Sequence, residues 1–137
     1  MSAADFNTQI INEFRENGGR VGGMFASMPL LLLHHVGAKT GADRVSPVAY
    51  LEDGGRYAIF ASKAGAPENP AWYHNLMAHP DTRIEIGGET IEVTASEAQG
   101  EERDRIYAAQ AARMPQFGEY EQKTTRKIPV VLLTPKE

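Results

Sequence analysis

Apolar residues recur every three or four positions at the start of the chain and every second position through most of the rest. Phe6, Ile10 and Phe14, with Ile11 alongside, make one stripe of an amphipathic helix. Asp5 is its expected N-cap and Gly18-Gly19 its stop. The period then changes. Leu30 to Val36 reads as a buried strand, and Val45 to Leu51 as a second, in which Pro47 requires an edge position or a bulge. Asp53-Gly54-Gly55 is a strong hairpin turn into a third strand, Tyr57 to Ala61. A polar Gly/Pro-rich loop, Lys63 to Asn69, comes next. Asn69 as cap and Pro70 as first helical residue launch a short helix, Ala71 to Ala78, which stops before Pro80. Arg83 to Ile86 and Ile91 to Ala95 alternate about Gly87-Gly88 as a second hairpin. Glu101 to Met114 reads as an alanine-rich helix, Phe117 to Lys123 as a short one, and Ile128 to Leu133 as a last buried strand.

Six closely spaced strands, mostly joined by hairpins and interrupted by helices, predict an α+β fold built on an antiparallel barrel. No repeat, linker or low-complexity segment divides the 137 residues. They read as one domain, large enough to bury roughly two thirds of its unfolded surface.

Composition removes several function classes. A net charge of -4, from 14 basic and 18 acidic residues, argues against a general nucleic-acid partner, which would meet a basic surface. Any anion site must be a local basic cluster on an acidic body. The absence of cysteine removes disulfides, thiolate metal sites, iron–sulfur clusters and cysteine nucleophiles together. The longest apolar run, Met28-Pro29-Leu30-Leu31-Leu32-Leu33, is too short to span a bilayer. The opening MSAADFNTQ lacks the charged start and apolar core of a signal peptide. A cytoplasmic protein is the expectation, with the first helix packing on the barrel, on a partner or against a membrane surface.

The stretch HHVGAKTGADR, His34 to Arg44, carries the densest chemistry. It is no Walker loop, because its lysine precedes the second glycine and a strand follows where a helix is required. Lys39-Thr40-Gly41 spells one box of the serine β-lactamases, but no serine has a lysine three residues on. His34, His35, His74 and His79 show no metal-ligand spacing, and neighbours on a strand point to opposite sides, so no metal is expected. They read as ordinary strand-end and helix-surface residues. Anion binding survives. Lys39 and Arg44 flank a turn whose glycines, Gly37 and Gly41, let backbone N–H groups approach a ligand. Lys63 ends the strand paired with the one that Arg44 opens, and the helix carrying Trp72 and Asn75 adds a favourable dipole. The alternative is a solvated turn with scattered charges. An anion site without a nucleophile or an acid–base cluster points to chemistry supplied by a cofactor.

Two longer motifs sharpen this. Gly37-Ala38-Lys39-Thr40-Gly41-Ala42-Asp43-Arg44, then Ser46-Pro47, resembles the GxKTGxxR…P signature of the deazaflavin-dependent nitroreductase family. Ala61-Ser62-Lys63-Ala64-Gly65, then Pro70-Ala71-Trp72-Tyr73-His74-Asn75-Leu76 with Ala78 and Pro80, resembles its ASKGG…PxWYxNLxAxP signature. Arg126-Lys127-Ile128-Pro129-Val130 also matches, and order and spacing agree from about residue 20 onward. The resemblance implies a split β-barrel of the FMN-binding type (residues 20–137, preceded by the helix of residues 1–19). It implies coenzyme F420, a deazaflavin with a phosphate and an oligoglutamate tail, as cofactor. The implied reaction is hydride transfer to a small-molecule acceptor such as a quinone, nitroaromatic or activated enone.

By matching positions, the resemblance assigns Lys39 and Arg44 to the tail and phosphate, with Thr40 and Gly41 between them also binding the cofactor. Lys63, Trp72 and Asn75 support the phosphate and the linker, and Pro47, Ala61 and Ser62 lie near the ring. Ser62 and Tyr120 are the implied catalytic hydroxyls. The family's nitroreductase has tyrosines where this chain has Ala49, Met114 and Phe117, with Tyr120 retained. Lost hydroxyls are lost donors to an oxygenated acceptor, which favours a flatter, more apolar quinone or enone over a nitro compound. Met24, Phe25, Met28 and Phe117 are expected to line that pocket or to be plain core. Two other classes stay open: a non-catalytic binder of deazaflavin or a lipid-like ligand, and an FMN or haem protein of the same fold. A monomer is the favoured oligomeric state.

Overall fold

A computed structural model describes residues 3–18, 30–62, 68–125 and 127–136, with side chains from residue 8 onward. The first element, α1 (Ala3–Glu16), precedes β1 (Leu30–Val36), β2 (Asp43–Asp53), β3 (Arg56–Phe60) and α2 (Ala71–Ala78). After these come β4 (Asp81–Ile86), β5 (Glu89–Glu97), α3 (Gly100–Arg113), α4 (Gln116–Lys123) and β6 (Val130–Pro135). The six strands close into a barrel in the order β1-β2-β3-β6-β5-β4, with β4 returning to β1. Every pairing is antiparallel. The expected α+β antiparallel barrel is the fold.

Strand alternation explains why β1 is apolar throughout. Leu31 and Leu33 point into the barrel, where they meet Ile59, Ile84, Val93, Val131 and Leu133. Leu30 and Leu32 point outward and are covered by Ile10 and Phe14 of α1. A strand buried on both faces needs no polar alternation. The apolar stripe of α1 is therefore spent on the barrel wall, with Phe14 almost fully buried. Residue by residue, such burial stabilises by about 1.5–3 kcal/mol. Arg15 at the end of α1 grips Glu85 through two hydrogen bonds of 2.7 and 3.0 Å.

A second outer layer covers β3 and β6. Ile106 and Tyr107 of α3 and Phe117 of α4 pack on Ala58, Phe60, Val130 and Leu132. The Tyr107 hydroxyl donates to the Phe117 carbonyl at 2.6 Å, which joins the two helices. Helix α2 instead contributes Trp72 and Leu76 to the barrel interior.

The turns follow their residues. Gly54 and Gly55 take φ of 58° and 87° between paired Asp53 and Arg56, a two-residue turn that few non-glycine pairs adopt. Pro47 pairs with Leu32 of β1, while the described β2–β3 ladder reaches only from Asp53 back to Tyr50. Pro47 thus stands where β2 has one neighbour, as a residue without an N–H requires. Several boundaries differ from expectation. The first helix begins at Ala3, so Asp5 lies inside it. Pro70, with φ -67° and ψ 156°, is itself the N-cap of α2, and Asn69 stands one residue outside. The second strand begins two residues early at Asp43, because pairing with β1 continues through Val36.

Candidate functional site

The connection from β1 to β2 is a tight loop with its own bonding. The Gly37 N–H donates to the Ala42 carbonyl at 2.9 Å and the Gly41 N–H to the Gly37 carbonyl at 2.8 Å. The Thr40 hydroxyl accepts the Ala42 N–H at 3.3 Å, and Gly41 adopts φ 71°. Gly37 is needed for space: a Cβ there would stand 2.6 Å from Thr40 Oγ1. The loop so formed holds Lys39 and Thr40 exposed at its tip.

Register then decides what lies beneath the loop. His35 pairs with Arg44 and Leu33 with Ser46, so His35, Arg44 and Ser46 share the inner face of the β1–β2 hairpin. His35 is 4% exposed. Its Nε2 lies 2.9 Å from Ser46 Oγ, and its Nδ1 lies 2.9 Å from Asn75 Nδ2 on α2. The Asn75 carbonyl oxygen in turn accepts the Ala38 N–H at 2.9 Å. Because that oxygen is committed, Asn75 can only donate to Nδ1, so the imidazole is neutral and carries its proton on Nε2. Burial, reinforced by the nearby Arg44 and His34, lowers the His35 pKa to about 4.

His34 points the other way. Its Nε2 meets Glu85 Oε2 at 2.7 Å, on the carboxylate that Arg15 also holds. Those two partners, Arg15 foremost, lower the Glu85 pKa. His35 and His34, expected to be ordinary strand-end residues, are thus a buried link and an anchor for α1. Sequence reasoning passed over His35 and Ser46. Their shared parity with Arg44 across the hairpin was the available signal, whereas the bond to Asn75, 40 residues away, left no local trace.

Two adjoining hollows open on this face. One, of about 420 Å³, is lined by Gly37, Ala38, Lys39, Thr40, Arg44, Ala71, His74 and Asn75. The other, of about 450 Å³, is lined by Thr8, Ile11, His35, Arg44, Val45, Ser46, Ala71 and Trp72. Arg44 and Ala71 border both. Ala71 is the first residue of α2, and its N-cap, Pro70, offers no side-chain cap, so the positive end of the helix faces the hollows. Among the described residues the first lining holds Lys39 and Arg44 and no carboxylate, a donor set that fits a phosphate with an acidic tail.

Among the residues expected at the site, Lys39, Thr40, Arg44 and Asn75 therefore meet around one hollow, and Trp72 lines its neighbour. Gly41 shapes the loop. Pro47 lies on the outward parity of β2. Ala61 is buried, its N–H donating to the Pro129 carbonyl at 3.0 Å, and Ser62 follows it, also buried. Ala49, Met114, Phe117 and Tyr120 gather elsewhere, around the outer α3–α4 cluster. There the Phe117 ring sits 5.5 Å from Phe60 and 5.3 Å from Tyr120. Lys63, Met24, Phe25 and Met28 lie outside the described residues. Among the described residues no three histidines or carboxylates are grouped to hold a metal, and no helix is long and apolar enough to cross a membrane.

Comparison with known proteins supplies the remaining step. Residues 8–135 match the family model described as F420H(2)-dependent quinone reductase. An F420H(2)-dependent quinone reductase of Mycobacterium tuberculosis (strain ATCC 25618 / H37Rv) is 40% identical over 125 residues, which cover 88% of this chain and 84% of that protein. A solved F420-H2 dependent reductase superposes with a TM-score of 0.70 at 38% identity, covering 77% of this chain and 93% of its own. A second solved structure, described as a domain-swapped dimer, gives 0.72 at 34% identity and covers 96% and 99%. A haem storage protein of Vibrio cholerae, at 18% identity and a TM-score of 0.61, shares the fold alone. Both signature motifs fall inside the matched span, and residues 37–40, 44, 71, 74 and 75 of them line the cationic hollow. The chain belongs to the F420H(2)-dependent quinone reductase family.

Proposed function

We propose that this oxidoreductase binds reduced coenzyme F420 through the loop of residues 37–44 and delivers its hydride to a quinone or a similarly flat, electron-poor acceptor. One observation carries the reading: Lys39, Arg44 and the start of α2 converge on a hollow that, among the described residues, no carboxylate lines. Arg44 takes the phosphate in a charge-assisted, forked contact, and Lys39 at the exposed tip takes the oligoglutamate tail. Trp72 supports the linker from the adjoining hollow. The cofactor, when bound, supplies the hydride. The chain's residues position it and shape the acceptor site, because transfer between two carbons depends on alignment more than on an acid or base.

The open flank of β2 is where the ring belongs in this reading. Described pairing with β3 ends at Tyr50 and Ile59, so Pro47 and Ala49 face a wall without a ladder partner on that side. Ala61 and Ser62 leave the end of β3 beside it. The Ser62 hydroxyl, and the Tyr120 hydroxyl from α4, are the groups proposed to donate hydrogen bonds to the acceptor oxygen. Ala49, Met114 and Phe117 offer no hydroxyl there, which favours apolar quinones and enones over nitro compounds. A monomer is the proposed unit. A sedimentation measurement distinguishes it from a swapped dimer.

The test mixes the protein with F420H2, and separately with FMN, adds menadione and follows cofactor absorbance. Arg44→Ala and Lys39→Ala should each weaken F420 by about 1–3 kcal/mol, several-fold to hundreds-fold, and less so at high salt. Tight F420 binding without turnover on any quinone, enone or nitro compound would show a binding protein instead. Preference for FMN would overturn the cofactor assignment.

A further inference from the structure

We propose that His35 is a positioning residue: its neutral imidazole, fixed between Ser46 and Asn75, sets the anion-binding loop through the Asn75–Ala38 bond. This rests on the cofactor reading above, but the device itself is visible in the geometry. Three contacts of 2.9 Å run in series from Ser46 Oγ to His35 Nε2, from His35 Nδ1 to Asn75 Nδ2, and from Asn75 Oδ1 to the Ala38 N–H. They join three separate elements, β2, β1 and α2, to the first residue after Gly37. Ala38 precedes Lys39 directly, so the end of the chain of bonds determines where the lysine is presented.

Direction matters as much as distance. An asparagine side chain can turn over and exchange its oxygen and nitrogen at little cost. Turned over here, it would place its NH2 group against the Ala38 N–H and lose both bonds. His35 prevents this, because an unprotonated Nδ1 accepts only from the Asn75 NH2. In that tautomer Ser46 accepts from Nε2–H and holds the far side of the ring. Asn75 Nδ2 has a second hydrogen, and Asn75 lines the hollow. The same orientation therefore decides whether the hollow meets a donor or an acceptor. A donor suits an anion. His35 itself needs no contact with the cofactor, and its burial beneath the loop keeps water from competing for the two ring nitrogens.

Three readouts on the full-length protein test this. Nitrogen-15 spectra of the histidine ring should show the Nε2–H tautomer at His35. The Nδ1–H tautomer would overturn the proposal. Exchange of the Ala38 amide with solvent should accelerate in His35→Leu and stay slow in His35→Gln, whose amide can accept from Asn75 and donate to Ser46. F420 affinity, read by its fluorescence, should fall by about tenfold or more in His35→Leu and by no more than about threefold in His35→Gln. kcat at saturating F420H2 should change little in either. A folded His35→Leu protein with wild-type affinity and wild-type Ala38 exchange refutes the role. Should His35→Leu fail to fold, Ser46→Ala provides the same comparison, since it removes the partner that holds Nε2 and frees the ring to turn. Arg44→Ala separates the two claims. If it too leaves affinity unchanged, the cofactor assignment of the hollow fails, while tautomer and Ala38 exchange still judge the relay.

Discussion

Gly37→Ala tests the loop that carries the site. A Cβ built at Gly37 lies 2.6 Å from Thr40 Oγ1, about 0.8 Å inside the 3.4 Å at which ordinary contact begins, while its next neighbours stand at a comfortable 3.7 Å. The clash is therefore with one atom. Relief requires the Thr40 hydroxyl to swing away from the Ala42 N–H, or the loop to open at the Gly37–Ala42 bond. Over-packing of this kind costs about 1–3 kcal/mol. Gly37 is absent from the glycines with positive φ, so alanine suffers no intrinsic backbone penalty and gains about 0.4–1 kcal/mol by restricting the unfolded chain. The net expectation is about 1–2 kcal/mol lost, read as a fall in Tm of roughly 3–10 °C for a domain of this size.

The decisive comparison is a double-mutant cycle with Thr40→Ala, which deletes the offending oxygen. In that background Gly37→Ala should be neutral or mildly stabilising, giving a coupling of at least about 1 kcal/mol. Thermal unfolding of the four proteins measures it directly. An equal loss of Tm in both backgrounds would show that the strain lies in the backbone, and the single-atom account would be wrong.

Other outcomes follow from contacts already described. Phe14→Ala should destabilise by about 3–5 kcal/mol, and brief proteolysis should then cleave within α1 before the barrel. The Asp53 pKa is lowered to about 2 by hydrogen bonds from Arg105 and then Arg56. Its stabilising effect is present above pH ~4, the ordinary carboxylate value, and is lost as pH falls toward about 2. Asp53→Asn should flatten that limb of an acid titration, and an unaltered limb would dismiss the pairing as too solvated to matter. His35 acts in a separate window. Between pH ~6.5 and about 4 the unfolded chain takes up a proton that the native imidazole refuses. Stability should decline across that interval in the wild type and less steeply in His35→Gln.

Much of the barrel was legible because its strands obey local rules. The double glycine after Asp53 and the alternation about Gly87-Gly88 need no tertiary knowledge to read as hairpins. What escaped depended on partners distant in the chain. β2 reaches Asp43 only because β1 pairs that far, and Pro70 is the N-cap of α2 because its own backbone is extended. At the site, the cations were legible from spacing. The relay was not, since a histidine's value depends on whether burial supplies it with two partners, and the sequence around His35 names neither.

The spacing of the first motif has a physical reading that the barrel makes plain. Arg44 and Ser46 share one parity of β2 and face the hollow, whereas Pro47, three residues after Arg44, has the opposite parity and faces outward. An odd step along a strand changes faces. Ala49 repeats the outward parity and touches both the α1 and the α3–α4 clusters. A ligand anchored at Arg44 that also reaches Ala49 must therefore pass around the strand rather than along it. It can do so only where β2 lacks a neighbour, and Pro47 marks that place, because the described β3 ladder has ended before it. In the proposed reading, the anion groups and the reactive ring of one long cofactor then lie on different sides of the same strand. Substitutions in the cationic loop should accordingly alter cofactor affinity, and substitutions around Ala49 the choice of acceptor, with little exchange between the two.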